Sequence, residues 1–155
     1  MDRIASFTIN HLDLFPGLYV SRRDKKGDCV ITTFDMRITA PNHEPVVDMP
    51  ALHTIEHLGA TYLRNCPAKG DIVYFGPMGC RTGFYFLVRN LSHQQALDLI
   101  KETVKKCSEH SGEIPGTTAI ECGNYKEHDK NGAVSALKEY YSLLKDYNTD
   151  NLQYN

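Results

Sequence analysis

Residues 18–39 read LYVSRRDKKGDCVITTFDMRIT, and the reading of this stretch decides the fold. Two runs rich in β-branched and aromatic residues, 18–23 and 29–39, flank the polar segment DKKGD. That pattern predicts a β-hairpin. Strand side chains alternate, so Val30, Thr32, Phe34, Met36 and Ile38 share one face of the second run. The opposite face carries Thr33, Asp35 and Arg37 and is unusually polar for β structure. Two readings stand for it, a solvated face or the wall of a site.

Further along, DIVYF (71–75) and RTGFYFLVRN (81–90) read as strands joined by the Gly/Pro turn GPMGC. Between the two strand pairs, APNHEPVVDMP (40–50) is a loop. A helix follows it, capped near Asp48 with Pro50 in its first turn, and runs to about Asn65. Ser92 and Gln95 give a capping-box signature for a second helix ending near Gly112. Its Ala96, Leu97, Ile100, Val104 and Cys107 recur at helical spacing, which makes Cys107 a core thiol. Asn131 opens a third amphipathic helix with Val134, Leu137, Tyr141 and Leu144 on its inner stripe. Strands and helices do not alternate regularly. The expected class is therefore α+β, a mainly antiparallel sheet with about three helices packed on it. A length of 155 residues suits one domain over 1–155, with the polar tail 148–155 expected to fray.

Composition narrows the function. Apolar residues make up 41% of the chain, which fits a globular protein and argues against disorder. The formal net charge is -2, which gives no electrostatic drive toward nucleic acid or anionic lipid. No apolar run approaches the roughly 20 residues of a membrane span. The start, MDRIASFTINHLDLFPG, has no continuous apolar core of the kind that marks a secretory leader. Five cysteines without such a leader favour reduced thiols in the cytoplasm.

The first helix carries ALHTIEHLGA (51–60). A helix turns ~100° per residue, so with His53 at zero, Glu56 lies at about -60° and His57 at about +40°. All three share one face, while Leu52, Ile55, Leu58, Gly59 and Tyr62 occupy the other. Imidazoles at i and i+4 can reach one ion, and neutral imidazole suits zinc, iron and similar metals. Glu56 is an awkward third ligand from the same turn and is better placed to handle protons. An HxxEH run also occurs on ordinary solvated helices and in inverted-zincin peptidases, so a third ligand decides the matter. Cys122 in ECGNY stands out, since its thiolate would complete a His2Cys set with one open position. Cys66, directly after the helix, stays possible on spacing. Cys29 in a strand and Cys107 in an apolar stripe are weaker. In GPMGCRTGFY, Cys80 sits in a tight turn between Gly79 and Gly83, either as a small buried thiol or as one presented to a ligand.

Taken together, HTIEHL (53–58), PMGCRTGFY (77–85) and ECGNYKEHD (121–129) closely resemble the S-ribosylhomocysteine lyase (LuxS) family. The likeness runs from SFTINH (6–11) through FDMRITAPN (34–42) to the last of these motifs. It implies cleavage of S-ribosylhomocysteine to homocysteine and 4,5-dihydroxy-2,3-pentanedione, the autoinducer-2 precursor. The sugar carbonyl moves from C1 to C3 through two enediolate steps, and the thiol then leaves by β-elimination. On this resemblance His53, His57 and Cys122 bind one divalent metal per chain, Fe2+ first, with Zn2+ or Co2+ as alternatives. Cys80 and Glu56 match the catalytic acid/base pair, and Ser6, His11 and Arg37 match substrate contacts. The resemblance also implies a homodimer with active sites at the interface. Three positions depart from the common pattern: Tyr74 and Gly76 before PMGC, and Asn10 before His11. His128 and Asp129 match the pattern without a defined role and are expected at the surface or behind the ligands. The rival readings are an inverted-zincin peptidase, which leaves Cys80 idle, and a non-catalytic metal-binding module.

Overall fold

The computed structural model describes residue 2 and residues 4–154. Four strands form one antiparallel sheet in the order β1-β2-β4-β3, with β1 at Gly17–Lys26, β2 at Cys29–Arg37, β3 at Ile72–Pro77 and β4 at Gly83–Arg89. Three helices follow the expected order: α1 at Met49–Arg64, α2 at His93–Ser108 and α3 at Lys130–Leu144. The α+β arrangement read from the sequence is the one observed. The hairpin turn is tighter than expected. Pairing continues to Lys26↔Cys29, leaving Gly27 and Asp28 as the connection, because Gly27 adopts a φ of 60°. Two-residue hairpin turns demand that backbone region.

One sheet face builds the core. Register sets Phe34 opposite Phe86 and Met36 opposite Phe84, and all four are at most 4% exposed. The apolar back of α1 (Leu52, Ile55, Leu58) packs into this layer with 2% exposure or less. Burying side chains of this size stabilises by about 1.5–3 kcal/mol each. Cys107 is 2% exposed in the same core, and burial pushes its thiol up to about 12. Asp48 takes the N-cap place of α1 with extended backbone, but its side chain makes no cap bond. The α2 capping box forms as expected, with Ser92 and Gln95 bonding reciprocally.

Two helix boundaries differ from the sequence reading. α2 stops at Ser108, whose hydroxyl turns back to donate to the Lys105 carbonyl, rather than near Gly112. α3 begins at Lys130 and is capped by Asp129, which accepts from the Gly132 amide, so Asn131 is already inside the helix. Its buried stripe is Ala133, Leu137, Tyr140 and Leu144. Tyr140 replaces the expected Tyr141 because its hydroxyl donates to the Gly17 carbonyl of β1, which fixes the rotation of the helix.

The other sheet face is polar but not solvated. Asp35 is 2% and Arg37 3% exposed, and they form an ion pair at 2.6 Å. Tyr19 and Tyr85 stand opposite Asp35 on β1 and β4. The tail read as a loose end also lies here. Thr149–Leu152 forms a 3-10 turn with Leu152 fully buried, and Tyr154 stacks on Tyr19 at 4.8 Å.

Candidate functional site

α1 presents His53, Glu56 and His57 on one side because its opposite side is held in the core. The two imidazoles are then fixed by the long loop between α2 and α3. His53 Nδ1 donates to the Glu127 carbonyl at 2.9 Å, and His57 Nδ1 donates to the Pro115 carbonyl at 2.8 Å. A carbonyl only accepts, so each Nδ1 carries a proton, and in the neutral ring each Nε2 keeps its lone pair. Both lone pairs face Cys122, whose Sγ lies 3.4 Å from His53 Nε2 and 3.7 Å from His57 Nε2.

Those separations test the fit of a metal. Bonds of ~2.05 Å to nitrogen and ~2.3 Å to sulfur, opened to a tetrahedral angle, put N and S about 3.6 Å apart. The observed pair brackets that value. Nδ1 bonds to backbone carbonyls are also how ligating histidines are usually oriented. The Asn124 amide lies 3.4 Å from the Cys122 sulfur and adds a donor to it. Cys66, left open by spacing, is not among the grouped donor atoms; these are His53, His57, Cys122 and His128.

His128 is the residue that sequence reasoning left without a role. Its ring stacks on His53 at 4.1 Å and meets His57 edge-on at 4.8 Å. Thr54 explains its orientation. The Thr54 hydroxyl donates to the Pro50 carbonyl, so His128 Nδ1, 3.2 Å away, donates to it in turn. Burial lowers the His128 pKa, and the neighbouring imidazoles His53 and His57 lower it further. The packing places His128 against the imidazole pair, and it is grouped with His53, His57 and Cys122 as a fourth candidate donor. Asp129 is accounted for separately, as the cap of α3.

The imidazoles open onto a cleft of about 460 Å³ lined by Glu56, Ala60, Glu121 and Cys122. Glu56 thus faces the same space as the donor set. Cys80 does not line this cleft. It sits exposed in the β3–β4 turn, beside Arg81 with its φ of 62°. Thr82 Oγ1 lies 3.1 Å from its sulfur and Arg37 Nη1 lies 3.9 Å away. Burial alone would raise this thiol's pKa, but the Thr82 hydroxyl and amide and the Arg37 charge outweigh it and lower it. Arg37 itself is held charged: burial opposes the charge, and Asp35 more than compensates.

Ser6 and His11 lie away from the imidazole cleft. Ser6 lines a separate cavity of about 370 Å³ over the polar sheet face, with Thr33, Tyr74 and Tyr85. His11 Nδ1 lies 3.0 Å from the Ile9 carbonyl. The Tyr74 hydroxyl end covers Gly76, where an added Cβ would collide with it. The two departures at 74 and 76 are therefore one steric unit. Within the chain, then, Ser6, Arg37 and Cys80 belong to the sheet side, and Glu56, His53, His57 and Cys122 belong to the helix side.

The profile of the family described as S-Ribosylhomocysteinase (LuxS) matches residues 4–151. The chain is 50% identical over 155 residues to an S-ribosylhomocysteine lyase of Finegoldia magna, covering 99% of both chains. It is 49% identical to the enzyme of that name from Clostridium acetobutylicum, again over 99% of each. A third, from Clostridium beijerinckii, is 54% identical over 81% of this chain and 80% of the relative. With donor geometry and sequence agreeing over nearly its whole length, the chain belongs to the S-ribosylhomocysteinase (LuxS) family.

Proposed function

We propose that the protein is a metal-dependent carbon–sulfur lyase that cleaves S-ribosylhomocysteine to homocysteine and 4,5-dihydroxy-2,3-pentanedione. The observation that carries the reading is the spacing of Cys122 from two imidazoles whose free lone pairs converge on it. The thiol at C5 cannot leave until the C4 proton is acidic, and that requires a carbonyl at C3. The carbonyl starts at C1, so protons must be taken from and returned to adjacent sugar carbons twice. A divalent ion on His53, His57 and Cys122 would supply Lewis acidity toward the sugar oxygens, with Fe2+ first and Zn2+ or Co2+ as alternatives.

The chain's own groups divide the proton work. Cys80 takes and returns protons during the carbonyl shifts, and its lowered pKa supports thiolate at a useful pH. Glu56 faces the cleft and serves the later transfers, removing the C4 proton as the C5–S bond breaks. Ser6 and His11 contact substrate, and Arg37, expected from the resemblance to contact it as well, instead acts from beneath Cys80, since its guanidinium is buried and committed to Asp35 and Thr82. A peptidase would have no use for Cys80.

The functional unit is a homodimer in the cytoplasm. Cys80 is exposed and does not line its own chain's cleft, so it is free to face the cleft of a second copy. Ile4, Phe7, Leu12 and Phe15 are each more than half exposed, a set that a second copy would cover. The product serves as a signal precursor or returns homocysteine to the methyl cycle. The decisive experiment is thiol release from S-ribosylhomocysteine by anaerobically purified protein, with metal analysis of the same sample. Release with close to one metal per chain is expected. Metal-loaded protein that releases no thiol would overturn the reading.

A further inference from the structure

We propose that Tyr154, at the end of the tail, is a positioning residue for Cys80: its hydroxyl fixes the Asp35 carboxylate so that Arg37 is aimed at the thiol. The inference rests on the reading of Cys80 as the proton-transfer group.

Asp35 Oδ2 receives two donors, Arg37 Nη2 at 2.6 Å and the Tyr154 hydroxyl at 2.9 Å. The carboxylate's other oxygen, Oδ1, is buried with no hydrogen-bond partner among the described residues, and so is Arg37 Nε. An Asp–Arg pair on one strand face has a more satisfied alternative. A two-point fork would pair both oxygens with Nε and Nη2 and leave neither group unpaired. That fork would also rotate Nη1 away from its present place. As it stands, Nη1 donates to Thr82 Oγ1 at 2.5 Å and reaches Cys80 Sγ at 3.9 Å. Because Thr82 Oγ1 accepts from Arg37, its own proton is free to point at the sulfur 3.1 Å away. The Tyr154 hydroxyl sets the carboxylate rotation that keeps the fork from closing.

The tail is built to hold that hydroxyl. The Tyr154 ring stacks on Tyr19 with planes 14° apart, and Leu152 is fully buried beside it. Burial and the Asp35 charge raise the Tyr154 pKa, so the hydroxyl stays a donor throughout the working range. The charged and titratable groups around the thiol and the Asp35–Arg37 pair are Arg81 next to Cys80, Asp35 and Arg37 of β2, Tyr19 and Arg22 of β1, Tyr85 of β4, Tyr140 of α3 and Tyr154 of the tail. Tyr140 donates to the Gly17 carbonyl, and Tyr154 donates to Asp35.

The test is the pH profile of Cys80 alkylation by iodoacetamide, read by mass spectrometry on the full chain. Tyr154→Phe keeps the ring and removes the hydroxyl. The alkylation midpoint is expected to rise by about half a pH unit or more, roughly a threefold slower reaction below the midpoint. Buried Cys107 reports on loosening and should stay unmodified. Tyr19→Phe is the control: it removes the bond from Tyr19 to the Phe15 carbonyl and breaks no hydrogen bond to Asp35. It should give the parent profile. A Tyr154→Phe profile that overlays the parent or shifts downward overturns the proposal. So does an equal rise in Tyr19→Phe, which would show that any disturbance of the tail moves Cys80. Alkylation needs no turnover, so a Tyr154→Phe shift together with a metal-loaded parent protein that releases no thiol would sink the lyase reading and leave the link between Tyr154 and Cys80 acidity standing.

Discussion

His53 and His57 each commit one ring nitrogen to a backbone carbonyl, and this decides which atoms remain for a metal. Cys122→Ala or His57→Ala should therefore strip the ion, as metal analysis of purified protein would report. Cys80→Ala and Glu56→Gln remove proton carriers and no ligand. They should keep metal and fold while turnover falls by about a hundredfold or more. The acidity of Cys80 makes a further prediction. Its folded pKa lies below the ordinary thiol value of 9.0, so alkylation should saturate at lower pH than in the urea-unfolded chain. The ionised thiol then adds stability above pH 9.0, and that increment disappears as pH falls through the folded pKa. At this scale the pairing of His53 with His57 was legible, because helical periodicity alone puts i and i+4 together. Cys122 was only the best of several thiols, since nothing local fixes where a loop some 65 residues away returns. His128 was opaque for the same reason. Its place depends on Thr54 meeting a loop end, a contact that no sequence interval encodes.

Elements were legible where one side had to be buried. The alternation in β2 gave the core face directly, and α1 declared its apolar back. Boundaries were less so. The end of α2 depends on a side chain folding back, and the face of α3 depends on Tyr140 finding the Gly17 carbonyl across the molecule. Asp129 caps α3 and also closes the loop that carries Glu127 and Cys122. Asp129→Ala should cost about 1 kcal/mol in denaturant unfolding and loosen metal retention along with it. Leu58→Ala, on the buried side of the helix that carries the two imidazoles, should cost about 2–5 kcal/mol by the same measurement. In β3, Gly76→Ser must displace the Tyr74 ring end, because the new Cβ would lie on its hydroxyl. The ring end is movable, so stability should change little while the affinity for substrate shifts, read as a change in KM.

The molecule as a whole keeps its proposed proton-transfer thiol on one side and its donor set on another. If a second copy joins them, two inactive variants should rescue each other. Co-expressed Cys80→Ala and His57→Ala chains would regain about a quarter of parental activity, since half the dimers are mixed and each has one intact site. No rescue in a verified mixed dimer would mean that each site is built within one chain. The polar face of β2 held both readings open from sequence, and its burial follows from the tail crossing it, a contact set by the whole chain. The exposed turn that displays Cys80 has one more consequence. A surface sulfur that ionises readily is where hydrogen peroxide strikes first, and its sulfenic acid cannot ferry protons. Mild oxidation should therefore silence the protein while its ion is still bound, and a reductant added early should restore it.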